Sequence, residues 1–134
     1  MRLIRLAGVA LVAVALGIAA ACSNDSGGAP IVPPPPGTYA LVSLTQAAVT
    51  FGPPIATGTL TLGDSTYKVH IDIVPPAPPT VVDDSGTYHI VGKQFNQKSL
   101  YPNGVQTVGT FTYDNGTFTV SVPSQGISTV WLKQ

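Results

Sequence analysis

Glutamate is missing from this 134-residue chain, and arginine occurs only at positions 2 and 5. Cysteine and tryptophan occur once each, as Cys22 and Trp131, and charged side chains make up only 9% of the whole. Beyond the first five residues the cations are Lys68, Lys93, Lys98 and Lys133, scattered singly. A phosphate-rich partner calls for clustered Lys or Arg, so nucleic acid is not an expected partner. A lone cysteine makes neither an intrachain disulfide nor a thiolate cage for zinc. No Gly-x-Ser-x-Gly elbow marks a nucleophile, and no paired carboxylates lie in apolar surroundings to signal acid–base work. An enzyme is not expected, and no cofactor is implied. From Gly37 onward no stretch repeats its apolar residues with the 3.6-residue period of a helix. The fold must therefore come from strands, held by core packing and backbone pairing alone.

The N-terminus has a clear pattern. Arg2 and Arg5 precede an uncharged stretch that begins at Leu6, and Ala19-Ala20-Ala21-Cys22 close it. Positive residues, an apolar segment and small residues in that order form a secretory signal peptide. The rival, an uncleaved membrane anchor, needs ~20 apolar residues, and the uncharged run from Leu6 to Ala21 falls short of that. These residues resemble the lipobox of bacterial lipoproteins, with Ala19 where that family usually has Leu. The resemblance implies removal of residues 1–21 and a diacylglyceryl group on Cys22, so that the protein meets the membrane through a lipid anchor. Ser23, in place of a retaining Asp, implies the outer membrane, facing the periplasm. Residues 22–36 follow as a tether: Ser23 to Gly28 is flexible, and Pro33 to Pro36 favours polyproline II. Docking of a proline-recognising module is the lesser reading of that run.

Residues 37–134 read as one all-β domain. Thr66 to Val74 alternates Tyr67, Val69, Ile71 and Ile73 against Thr66, Lys68, His70 and Asp72. Thr117 to Val122 sets Phe118, Val120 and Val122 against Thr117, Thr119 and Ser121. One apolar face and one threonine-rich face suit a sheet wetted on a single side. Gly63-Asp64-Ser65, Pro102-Asn103-Gly104, Asn115-Gly116 and Pro123–Gly126 supply turn chemistry. Eight strands are predicted near 37–45, 57–62, 66–74, 85–91, 94–101, 105–113, 117–122 and 127–133. Gln46–Ala56 and Pro75–Asp84 are predicted loops, because their prolines cannot donate to a ladder. Gly86 and Gly109 fall inside strands and fit the bends of a closing sheet. Short connections favour an up-and-down antiparallel barrel, whose closure removes exposed edges.

Gly37-Thr38-Tyr39-Ala40-Leu41-Val42-Ser43, Gly58-Thr59-Leu60-Thr61-Leu62, Asp84-Ser85-Gly86-Thr87-Tyr88 and the last strand Val130-Trp131-Leu132-Lys133 resemble the lipocalin-like domains of small bacterial lipoproteins. The resemblance spans nearly all of residues 37–134 and implies an eight-stranded barrel, of a kind found with or without a small apolar ligand inside; ligand binding is the expected function. Lipocalins open on Gly-x-Trp and close with a basic residue over that tryptophan. Tyr39 stands at the Trp position here and Lys133 at the basic one, so Tyr39, Trp131 and Lys133 are the expected closure. A mostly filled interior is expected, with any apolar slot bounded by Tyr67, Tyr88, Phe95 and Phe111. A monomer is expected. The alternative is a structural or protein-interaction barrel with a filled core, for example one resembling a protease inhibitor. His70-x-Asp72, with His89 and Asp83 or Asp84, has the composition of a two-histidine, one-carboxylate metal group. Decoration of a solvated face is the simpler reading, so no metal is expected.

Overall fold

The computed structural model describes residues 30–101 and 104–134. The expected signal peptide 1–21 and Cys22 lie outside the described residues, as does the first part of the tether. Nine strands form one sheet: β1 Gly37–Gln46, β2 Val49–Phe51, β3 Ala56–Leu62, β4 Thr66–Ile73, β5 Thr80–Val91, β6 Gln94–Tyr101, β7 Gln106–Asp114, β8 Thr117–Val122 and β9 Ile127–Lys133. Each of β3 to β9 pairs antiparallel with its sequence neighbour, and β1 pairs with both β3 and β9. Eight strands thus close a meander barrel, and β2 is an extra strand paired only to β1.

Two predicted loops need correction. Gln46–Ala56 contains β2, which folds back on β1 through a two-residue turn with Gln46 opposite Val49. Both turn residues, Ala47 and Ala48, have positive φ (49° and 66°), the backbone of a type I′ hairpin that usually takes Asn or Gly. Alanine hides that turn from sequence inspection. The second correction is β5, which begins at Thr80 and not near residue 85. The prolines end at Pro79, and Thr80-Val81-Val82 are β-formers that pair with Ile73, Asp72 and Ile71.

Elsewhere the alternation turns the apolar side chains into the lumen as its phase dictates. Tyr39, Leu41, Leu60, Leu62, Tyr67, Ile71, Phe95, Phe111, Phe118 and Trp131 are each no more than 5% exposed. Leu41 and Leu44 are three apart yet both buried. A register shift between Leu41 and Ser43 opposite β9 reconciles them, since a bulge inserts one residue and restores the inward phase. A second shift, between Ser85 and Gly86 opposite β6, sits at a close approach. A Cβ on Gly86 would stand 2.1 Å from the Lys98 carbonyl oxygen, so only glycine lets β6 cross there. Asn115 and Gly116, at φ 46° and 80°, make the tight β7–β8 hairpin with Asp114 opposite Thr117.

The barrel's two ends differ. One gathers the turns at 63–65, 92–93 and 115–116 with the chain's last residues, where the Gln134 amide donates to the Thr38 carbonyl. The other gathers the β1–β2 hairpin, the proline loop 74–79 and a 3-10 turn at Pro123–Gln125. Ala77 of the proline loop is buried.

Candidate functional site

The first end of the lumen is packed with rings. Tyr88 stacks on Phe95 with centroids 4.9 Å apart and planes 24° apart. Phe95 meets Phe118 edge-on at 5.5 Å and Phe111 at 6.4 Å. Phe111 lies 6.1 Å from Phe118, and Tyr39 lies 5.9 Å from Phe118. Such tilted and offset pairs add stabilisation beyond burial. Two phenols tie this plug to the chain around it. Tyr39 Oη donates to the Pro35 carbonyl at 2.5 Å, and Tyr88 Oη donates to the Gly63 carbonyl at 2.8 Å. The Pro35 contact places the segment just before β1 on the barrel, with Pro34 buried. Burial raises the Tyr39 phenol to about 12, with nearby Tyr113 and Tyr88 adding to the shift. Burial also raises Tyr88, helped by Asp64.

Beyond the plug the lumen is not full. A cavity of about 200 Å³ is lined by side chains that include Leu60, Ile71, Phe95, Phe118, Val120 and Trp131, and by the polar groups Asp84, Gln97, Thr107, Gln125 and Thr129. Val82 and Gln125 are both exposed and both stand in its lining, so it opens to solvent at the second end. Its polar wall is a consequence of strand phase. Asp83 and Asp84 are adjacent in β5, so one points out and the other in. Asp84 Oδ2 accepts from Tyr67 Oη at 2.7 Å, and Oδ1 accepts from Ser99 Oγ. Burial first, and the Asp84 carboxylate second, push the Tyr67 phenol well above its usual range. It stays protonated and donating. Across the lumen, Trp131 Nε1 donates to Thr129 Oγ1 at 2.8 Å.

Of the expected slot residues, Phe95 lines the cavity. Tyr88 and Phe111 belong to the plug, and Tyr67 is buried with its hydroxyl on Asp84. Of the expected closure, Tyr39 and Trp131 are both inside, on paired strands, with Trp131 opposite Leu41 and Tyr39 opposite Lys133. Lys133 is exposed, and its stem runs past Gly37, with Cε 3.2 Å from where a Cβ would sit. Sequence reasoning missed Gln97, Thr107 and Thr129 as site residues and weighed Asp84 only for an outer metal group. Their signal lies in the strand phase, where polar residues occupy inward positions of otherwise apolar faces.

The outer histidine group takes a different form from a metal site. His70 Nδ1 lies 2.6 Å from Asp83 Oδ1, and its Nε2 lies 3.1 Å from Asp72 Oδ2. Both ring nitrogens face carboxylates, which suits an imidazolium donating twice. Asp83 first, then Asp72, raise the His70 pKa. His89 pairs with Asn96 on another part of the sheet. Among the described residues, no group of three or more His, Cys, Asp or Glu side chains is placed to hold a metal ion. Compared with protein-family models, curated proteins and solved structures, the chain has no match.

Proposed function

We propose that the protein is a lipid-anchored envelope module, tethered through Cys22 to the outer membrane and facing the periplasm, whose lipocalin-like barrel binds a small, mostly apolar ligand. The observation that carries this reading is the open cavity of about 200 Å³ behind the aromatic plug. Left empty, such a volume would cost about 5 kcal/mol at ~24 cal/mol per Å³, a large share of a small domain's net stability. Solvent or a ligand offsets that cost. The volume lies below the ~300–1,000 Å³ of drug-sized sites, so the ligand is small. The tether joins the barrel at the plugged end, where Tyr39 bonds Pro35, which turns the open end away from the membrane. The protein acts without catalysis. Asp84 is the single ionisable group in the cavity lining, whereas acid–base and nucleophilic chemistry draw on two or more cooperating groups.

Native mass spectrometry of the protein taken from its own host tests both parts. The expected result is a chain beginning at Cys22 with its lipid mass, carrying a small retained compound that leaves on activation. A chain of full length with no lipid would overturn the anchoring. An interior that neither retains nor takes up any small compound would favour the interaction-module alternative.

A further inference from the structure

Building on the reading of the cavity as a ligand site, we infer that its ligand is a small organic cation, an amine or ammonium compound whose charged group docks on Asp84. The charge pattern of the wall is one-sided. Asp84 is the only ionisable residue in the lining, and neither lysine nor histidine contributes to it. Lys68, Lys93, Lys98 and Lys133 are all exposed, and His70 is held on the outer face by Asp72 and Asp83. Among the described residues those two are the only ion pairs, so the inward carboxylate has no cationic partner there.

Asp84 is also oriented. Tyr67 Oη and Ser99 Oγ each donate to one of its oxygens, and each carboxylate oxygen keeps a further lone pair for an incoming N–H. A charge-assisted bond to a carboxylate is roughly twice as strong as a neutral one. The rest of the wall fits the body of such a ligand. Phe95, Phe118 and Trp131 supply an aromatic wall for the apolar stem of such a ligand, and Gln97, Thr107 and Thr129 add polar groups. An anionic ligand, such as a fatty acid with its carboxylate in the cavity, would meet only like charge there.

Three probes of nearly equal size separate the possibilities: benzylamine, benzyl alcohol and benzoate. Trp131, the only tryptophan in the chain, lines the cavity and reports binding by its fluorescence, using the full chain in detergent. Benzylamine should bind about tenfold more tightly than benzyl alcohol, the step from a neutral to a charge-assisted contact, and benzoate should bind most weakly. Asp84→Asn should erase the amine's advantage, and Asp84→Glu should keep it. The ranking on the unaltered chain is decisive even if Asp84→Asn fails to fold. Benzyl alcohol or benzoate binding as tightly as the amine, or an advantage that survives Asp84→Asn, would overturn the charge assignment and leave ligand binding standing. No response to any of the three would overturn ligand binding itself, and the charge assignment with it.

Discussion

Trp131 and His70 occupy opposite extremes of the same sheet, and each sets a measurable expectation. Trp131 is 2% exposed, its Nε1 is bonded to Thr129, and its ring forms part of the cavity wall. Truncation would enlarge an existing hole that the closed barrel cannot collapse to fill. Trp131→Ala should therefore cost about 3–5 kcal/mol, as buried aromatics do, read from the shift in a urea midpoint. Lys133→Ala, at an exposed position, should cost far less, and a Trp131→Ala loss no larger than that of Lys133→Ala would refute the packing argument. His70 presents the electrostatic case. Its pKa is raised by Asp83 and Asp72 in that order, so the folded protein holds its proton more tightly than the unfolded chain does. The contribution of these contacts is complete below about pH 6.5 and is lost as pH rises through the higher folded value. Proton NMR should give His70 a pKa above the ordinary histidine value of 6.5, lowered more by Asp83→Asn than by Asp72→Asn. The reverse order would mean that the Asp72 contact is the stronger one.

The β1–β2 hairpin is an element whose sequence and backbone disagree. Ala47 and Ala48 hold positive φ, and non-glycine residues there cost on the order of 1–3 kcal/mol each. The surroundings compensate. The Ala47 amide donates to the Gly126 carbonyl at 3.2 Å, and Thr45 and Thr50 join hydroxyls across the pair at 2.8 Å. The β7–β8 hairpin uses Asn115-Gly116 for the same turn, so the protein contains its own better solution. Ala47→Asn with Ala48→Gly should stabilise the domain by about 1 kcal/mol, seen as a raised urea midpoint, and an unchanged or lowered midpoint would show that the alanines are unstrained. The same comparison explains what could be read in advance. Strands with clean alternation, such as Thr66–Ile73 and Thr117–Val122, and the Asn-Gly turn between β7 and β8 carry local signals, so their sequences identify them. β2 and the start of β5 carry weaker ones: an Ala-Ala turn resembles no turn, and Asp83-Asp84 beside a proline run resembles a loop. The bonding within the cavity's polar wall is hidden for a different reason. Asp84 meets Tyr67 and Ser99 across 17 and 15 residues of sequence, and register between strands, which no single strand's pattern specifies, decides that meeting.

At the scale of the whole barrel, three buried phenols join its parts. Tyr39 bonds the segment before β1 at Pro35, Tyr88 bonds the β3–β4 turn at Gly63, and Tyr67 bonds Asp84 on β5. Each is a donor only while protonated, and burial is the first cause of a raised pKa in all three, with Tyr39 at about 12 against an ordinary 10. Above about pH 10 the unfolded chain releases these protons while the folded barrel keeps them. The folded state then binds more protons than the unfolded one, so stability falls as pH rises. The phenols' contribution is complete below pH 10 and declines through the window from 10 to about 12 for Tyr39, with Tyr67 and Tyr88 acting in the same direction. Whatever its slope through the His70 titration, the urea midpoint should drop steeply above about pH 10. Phenolate absorbance of these rings should appear together with unfolding and not before it. Tyr39→Phe removes one proton from the balance, so the barrel should start less stable at neutral pH, through loss of the Pro35 bond, and then lose stability less steeply with alkali. Phenolates of Tyr39, Tyr67 or Tyr88 forming in a barrel that stays folded, or a midpoint unchanged well above about pH 10, would show that water reaches these hydroxyls and that the plugged end is not sealed.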